Sequence, residues 1–175
     1  MINQSDRARS DSRGCGEMTE NNEQKESTAS DYVREVTAKY IGPRRKSISI
    51  RSANDAACFV RRLLRDEARE HFIALYLNGA NQVVSHSLVS LGTANSAPAC
   101  PREIFQGAVL VGACALIVAH NHPSGSLAAS EHDKIITGRL AEGGKLLSIP
   151  LLDHIIVSSD CYYSFLEDGS SLLKV

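Results

Sequence analysis

Cys114-Ala115-Leu116-Ile117-Val118-Ala119-His120-Asn121-His122-Pro123-Ser124-Gly125 is the stretch on which the reading of this chain turns. From Cys114 to Ala119 there is neither a charge nor a turn former, which is the pattern of a short strand covered on both faces in the middle of a sheet. The character then changes at once: two histidines one residue apart lead into Pro-Ser-Gly, where regular structure stops. Side chains two apart on extended backbone project to the same side. The imidazoles of His120 and His122 therefore face one point if the strand continues through them.

Downstream of this loop, Ser130 can cap a helix predicted to run to about Ala141 and to be terminated by Gly143-Gly144. Leu151-Leu152-Asp153-His154-Ile155-Ile156-Val157 reads as a further strand, with a last one over residues 162–166. Asp153 and His154, set among apolar residues, read as a buried, hydrogen-bonded structural pair. Upstream, Pro101 suits the first turn of a helix whose stripe of Ile104, Phe105, Ala108, Val109 and Val111 extends to about Ala113. Residues 72–77 and 82–91 form a hairpin about Gly79-Ala80-Asn81. Ser52 and Asp55 resemble a capping box, and Phe59, Val60, Leu63 and Leu64 recur at helical spacing, which predicts a helix over 54–69. With no internal repeat, the order of elements implies one α/β domain of α+β type, a mixed sheet flanked by helices, over residues 48–175.

Ahead of that domain, residues 1–30 hold almost nothing apolar and show no period, the composition of a disordered tail. Residues 31–47 carry Tyr32, Val33, Val36 and Tyr40 among charges, with Gly42-Pro43 before Arg44-Arg45-Lys46, and read as a lead-in strand or short helix. The 175 residues are 43% hydrophobic, enough to bury a core, and a net charge of -1 provides no general attraction to nucleic acid or to an anionic membrane. The basic triplet is a solvated linker on this reading. No run approaches the ~20 apolar residues that cross a bilayer, and no apolar leader opens the chain. Five scattered cysteines, with no C-x-x-C pair, argue against a disulfide framework and for a reducing, cytoplasmic setting. Cys58 and Cys114 fall in apolar runs and are assigned to packing.

The residues that carry chemistry are His120, His122, Ser130 and Asp133. Two imidazoles and a carboxylate are zinc ligand types, and Asp133, in the first turn of the helix after the loop, can return to the point the histidines face. A catalytic zinc keeps three protein ligands and leaves a fourth position to water, lowering the pKa of that water to about 7. Ser130 and Asp133 are also spaced as a capping box. The two readings are compatible, because a capping serine fixes the helix start and hence where Asp133 points. Ser130 can in addition offer its hydroxyl to an oxyanion. A carboxylate must take the proton of the water. Glu70 and Glu103 are the candidates, and Glu103 is equally explained by its place in the first turn of a helix.

The string His120-x-His122 followed by Ser130 and Asp133 resembles the metal-binding motif of the JAB/MPN-plus (JAMM) metalloprotease superfamily. Together with Pro101-Arg102-Glu103-Ile104-Phe105, His120-Asn121-His122-Pro123-Ser124-Gly125 and Leu152-Asp153-His154-Ile155-Ile156-Val157, it resembles the RadC family in particular. The resemblance runs in order from about Ile48 to Leu166. It implies a cytidine-deaminase-like sheet, one zinc per chain held by His120, His122 and Asp133, and a glutamate just before an early strand, which here is Glu70, as general base. Longer members carry a helix-hairpin-helix region that residues 1–40 do not pattern, so the chain reads as a short form.

The expected function is thus zinc-dependent hydrolysis, by a metallopeptidase or isopeptidase acting on a peptide or protein substrate. Two alternatives stand beside it. One is a DNA-associated role through the family name. A nucleobase deaminase would need His-x-Glu and Pro-Cys-x-x-Cys, which are absent here. The letters His-Asn-His alone do not make a nuclease of that name. The other is a non-enzymatic interaction module, against which the complete set of ligands argues.

Overall fold

The computed structural model describes residues 47–64, 68–92 and 99–173. The expectations for residues 1–30, and for residues 31–46 of the lead-in segment, lie outside the described residues.

Strand β3, Ala115–Asn121, is buried at every residue and occupies the centre of a five-stranded sheet of order β2-β1-β3-β4-β5. The strand runs two residues past the apolar stretch and so includes His120. Its neighbours are β1, Glu70–Leu77, antiparallel, and β4, Leu151–Val157, parallel. Outside these lie β2, Val83–Gly92, and β5, Tyr162–Ser164, each antiparallel to its neighbour, so the sheet is mixed as expected.

Alternation along these strands divides the core in two. Phe72, Ala74, Tyr76, Leu116, Val118 and Leu151 pack on one face against α2, Pro101–Leu110, and α3, Glu131–Leu147. Ile73, Leu75, Leu77, Ile117, Ala119 and Ile155 pack on the other against α1, Ala53–Arg61. A strand with helices on both sides has no solvent face, which is why β3 has apolar residues without alternation.

Three elements differ from expectation, each for a local reason. Helix α1 stops at Arg61 rather than Arg69, and its start is fixed by Ser52, whose hydroxyl accepts from the Asp55 amide, while Asp55 itself accepts from the Arg51 amide. Helix α2 ends at Leu110, before Gly112 with φ +63°, and Val109 is 61% exposed instead of lying in the buried stripe. Helix α3 runs through Gly143-Gly144 and ends only at Ser148, in left-handed conformation. The glycines serve close approach rather than termination: a Cβ on Gly143 would lie 2.8 Å from the Phe105 ring, and one on Gly144 would lie 2.6 Å from the Ile149 carbonyl oxygen. The cysteine assignment also fails. Cys58 faces outward on α1 and Cys114 sits just before β3, and both are exposed free thiols.

Among the described residues no helix is long and apolar enough to cross a membrane.

The two kinds of glycine in α3 predict opposite signs. Gly144→Ala forces the α3–β4 connection apart and should destabilise by about 1–3 kcal/mol. Gly138→Ala, where the nearest outside atom is Leu172 Cδ2 at 3.8 Å, should stabilise by about 0.4–1 kcal/mol. Urea unfolding of the two variants checks both.

Candidate metal centre

The site lies where β3 emerges at the start of α3. His120 is in β3 and fully buried, stacked on Phe72 of β1 at 5.7 Å with rings 7° apart. His122 is one step beyond the strand and partly open, its side chain 17% exposed. The loop that follows is a tight turn. The Gly125 amide donates to the His122 carbonyl, and Gly125, with φ +72°, takes the left-handed conformation that admits glycine most readily. This turn brings the Ser126 carbonyl to 2.8 Å from His122 Nδ1. A carbonyl only accepts, so His122 carries a proton on Nδ1 and Nε2 is the atom turned towards the centre.

Asp133 arrives through the helix cap. The Ser130 amide and hydroxyl each donate to Asp133 Oδ2 at 2.7 Å, and the Asp133 amide donates to Ser130 Oγ at 3.1 Å, a reciprocal capping box. Oδ1 is left for the centre. The three residues then converge: His120 Nε2 lies 3.0 Å from His122 Nε2 and 3.2 Å from Asp133 Oδ1, while His122 Nε2 lies 3.5 Å from Asp133 Oδ2. One donor atom from each falls within 4.8 Å of the others. Ligands at about 2.0–2.1 Å around a tetrahedral ion stand roughly 3.3 Å apart, so the donor set and its spacing both fit zinc.

Charge is arranged to match. Burial by itself would raise the Asp133 carboxyl, yet hydrogen bonds from His120 and His122 and the charge of His120 hold it well below the usual carboxylate range. His122 is raised above its ordinary value, first by its hydrogen bond to Asp133 against the opposing effect of burial, and further by Ser126 and by the charges of Asp133 and Glu70. Without an ion, then, the centre keeps an anionic carboxylate and favours a proton on His122. That proton and a metal ion compete for one position.

Glu70 is the first residue of β1. It lies two residues before Phe72, which pairs with His120, and its charge acts on the His122 ring. The Asn121 side chain holds it there, its Oδ1 accepting from the His71 amide at 2.9 Å and its Nδ2 donating to the Arg69 carbonyl at 3.0 Å, on either side of Glu70. Glu103, by contrast, is exposed in the first turn of α2 and forms no hydrogen bond or ion pair with the triad.

Two residues around the centre carry no signal in the sequence, and a third has a further contact that the sequence does not reveal. Asn121 reads as mere spacing between histidines. Thr137 carries no signal apart from lying one helical turn beyond Asp133. His154 and Asp153 are the buried, hydrogen-bonded pair expected, the His154 amide donating to Asp153 Oδ1 at 2.8 Å, but the His154 ring also reaches the centre, its Nε2 lying 2.9 Å from His120 Nδ1.

A mixed sheet between helices, with two histidines and an aspartate gathered at the end of its central strand, defines a JAB-type domain with a candidate metal centre. A family model for the RadC-like JAB domain matches residues 50–170. The chain belongs to the RadC family. It is 43% identical over 120 residues to a UPF0758 protein of Chlorobium chlorochromatii, covering 69% of this chain and 54% of that protein. It is 40% identical over 127 residues to one from Methanococcoides burtonii, covering 73% and 54%. A Staphylococcus aureus relative is 44% identical over 122 residues, covering 70% and 54%. The chain thus spans about half the length of these relatives.

The raised His122 sets the direction of a pH effect. Metal affinity should climb as pH rises through the His122 pKa and fall as acid returns the competing proton. In metal-free protein, Asp133→Asn removes the first cause of the elevation while leaving the burial, so the His122 pKa should drop. A pH titration of the ring resonances by NMR, with and without the substitution, reads both.

Proposed function

We propose that this chain is a zinc-dependent hydrolase that cleaves an amide or isopeptide bond of a peptide or protein. The observation that carries the reading is the convergence of ligand atoms from His120, His122 and Asp133 at the end of the central strand. Glu70, at the start of β1, acts on the His122 ring through its charge, and a carboxylate near the centre is the base that an attacking water requires. Zinc held by His120, His122 and Asp133 would act as a Lewis acid and bring the pKa of a water near 7.

The chain's own groups do the rest. Glu70 takes the proton of the attacking water and returns it to the leaving amine, so that one carboxylate serves as base and then as acid. Ser130 is the proposed donor to the developing oxyanion. It is exposed at the same edge, and its hydroxyl, directed at Asp133 Oδ2 in the metal-free arrangement, can turn towards an anion that forms beside it. Asn121 keeps the backbone on both sides of Glu70 fixed, which limits how far the base can drift from the water. The approach to His122 runs past exposed Ser124, Gly125, Ser126 and Ala128, and an open rim of this kind suits an extended peptide or a protein loop.

Metal analysis and activity separate the roles. Wild-type protein should hold one zinc per chain and His122→Ala should lose it. Glu70→Gln should keep the zinc and lose roughly 10²–10⁴ in hydrolysis, read by comparing cleaved peptide termini from a proteome digested with wild type and variant. Wild-type protein without stoichiometric zinc, or a Glu70→Gln variant as active as wild type, overturns the proposal.

A further inference from the structure

Among the buried titratable groups that the mechanism leaves without a task, one touches a candidate ligand. His154, in β4, is fully buried, and its ring is stacked on Phe165 at 5.0 Å with 7° between planes. Both its nitrogens have partners: Nε2 faces His120 Nδ1 at 2.9 Å, and Nδ1 faces Thr137 Oγ1 at 2.6 Å. Thr137, in α3, is also fully buried, and its hydroxyl lies 2.5 Å from the backbone carbonyl of Asp133, one turn earlier.

Proton counting along this line gives a single answer. The Asp133 carbonyl has no hydrogen, and two oxygens that close are held together only by a hydrogen between them. The one hydroxyl hydrogen of Thr137 therefore goes to Asp133. Thr137 Oγ1 can then only accept from His154, so His154 carries its proton on Nδ1. A neutral imidazole carries one ring proton, so with Nδ1 holding it Nε2 is the acceptor. The facing atom, His120 Nδ1, must donate. Nδ1 thus keeps its proton, and the ring atom that can yield a lone pair to a metal ion is Nε2, the one aimed at His122 and Asp133.

We infer that Thr137 and His154 are positioning residues that fix the tautomer of His120, so that its Nε2 lone pair is presented to the metal centre. The relay begins on the backbone of Asp133 and ends on the ring of His120, so it ties two of the three ligands together through groups that touch neither ion nor substrate. Outer partners of this kind orient ligating imidazoles, and their loss costs about 10–100-fold in metal affinity. The inference rests on the zinc reading for its purpose, whereas the tautomers themselves are a property of the metal-free protein.

The test uses the full chain, labelled with nitrogen-15. Long-range proton–nitrogen spectra of metal-free wild type should show His154 and His120 both protonated at Nδ1. Zinc affinity is then read by competition with a chromophoric chelator. Thr137→Val removes the acceptor for His154 Nδ1 at nearly constant volume, and should mix the His154 tautomers and weaken zinc about 10–100-fold. Thr137→Ser keeps the hydroxyl and should behave as wild type, a rescue that a purely space-filling role would not produce. A wild-type His154 protonated at Nε2 overturns the inference, as does a folded Thr137→Val variant with unchanged affinity, or a Thr137→Ser variant that falls as far as valine. Should Thr137→Val not fold, the wild-type spectra decide alone. Failure of wild type to bind zinc at all refutes the function proposed above, and the spectra of metal-free protein still report on the relay.

Discussion

Two imidazoles and a carboxylate gathered at one point, with His120 and Asp133 buried, are a costly arrangement for a protein to hold, and the structure around the centre is what holds them. Each ligand is secured from behind by a different kind of group: His120 by His154, His122 by the Ser126 carbonyl, and Asp133 by the amide and hydroxyl of Ser130. In every case the anchoring bond uses one polar atom and thereby determines which atom is left to face the others. The geometry is preorganised, and an ion arriving there has little ordering to impose.

The sheet makes this possible because β3 is central. A strand paired on both edges and covered on both faces has almost no freedom to shift, so a histidine within it is placed by backbone hydrogen bonds on either side. The antiparallel neighbour brings Phe72 and Glu70, and the parallel neighbour brings His154. Helix α3 connects those parallel strands, and its first two turns supply Asp133 and Thr137. One crossover unit therefore provides the candidate metal triad and the groups behind it, while the hairpin carries Glu70, the proposed base.

How much of this could be read in the sequence follows from how local each signal is. Strands β3 and β4, the hairpin and the cap at Ser130 depend on spacing within a dozen residues or so and stand in the structure, which also brings His120, His122 and Asp133 together. Helix α3 was cut short because paired glycines carry the same letters whether they end a helix or let Phe105 and Ile149 come close. Cys58 and Cys114 lie in apolar runs but on outward positions, which only the phase of the helix and the start of the strand determine. His154 is 34 residues from His120, and the pairing that joins them is a parallel register with no turn to announce it. Glu70 lay between these cases: its nearness to a strand was legible, and the strand's partner was not.

A capping box and a metal ligand are usually alternative explanations of the same two residues, and here the carboxylate resolves the conflict by having two oxygens. Ser130 engages Oδ2 with two donors at 2.7 Å, while the same oxygen stays 3.5 Å from His122 Nε2. Oδ1 stays within 3.2 Å of His120 Nε2. The cap keeps Asp133 anionic and correctly turned, and the same bonds start α3, whose next turn carries Thr137 back to the Asp133 carbonyl. Helix nucleation and ligand orientation are thus one event. A substitution at Ser130 has to act on both, since the residue that starts the helix is the residue that aims the ligand.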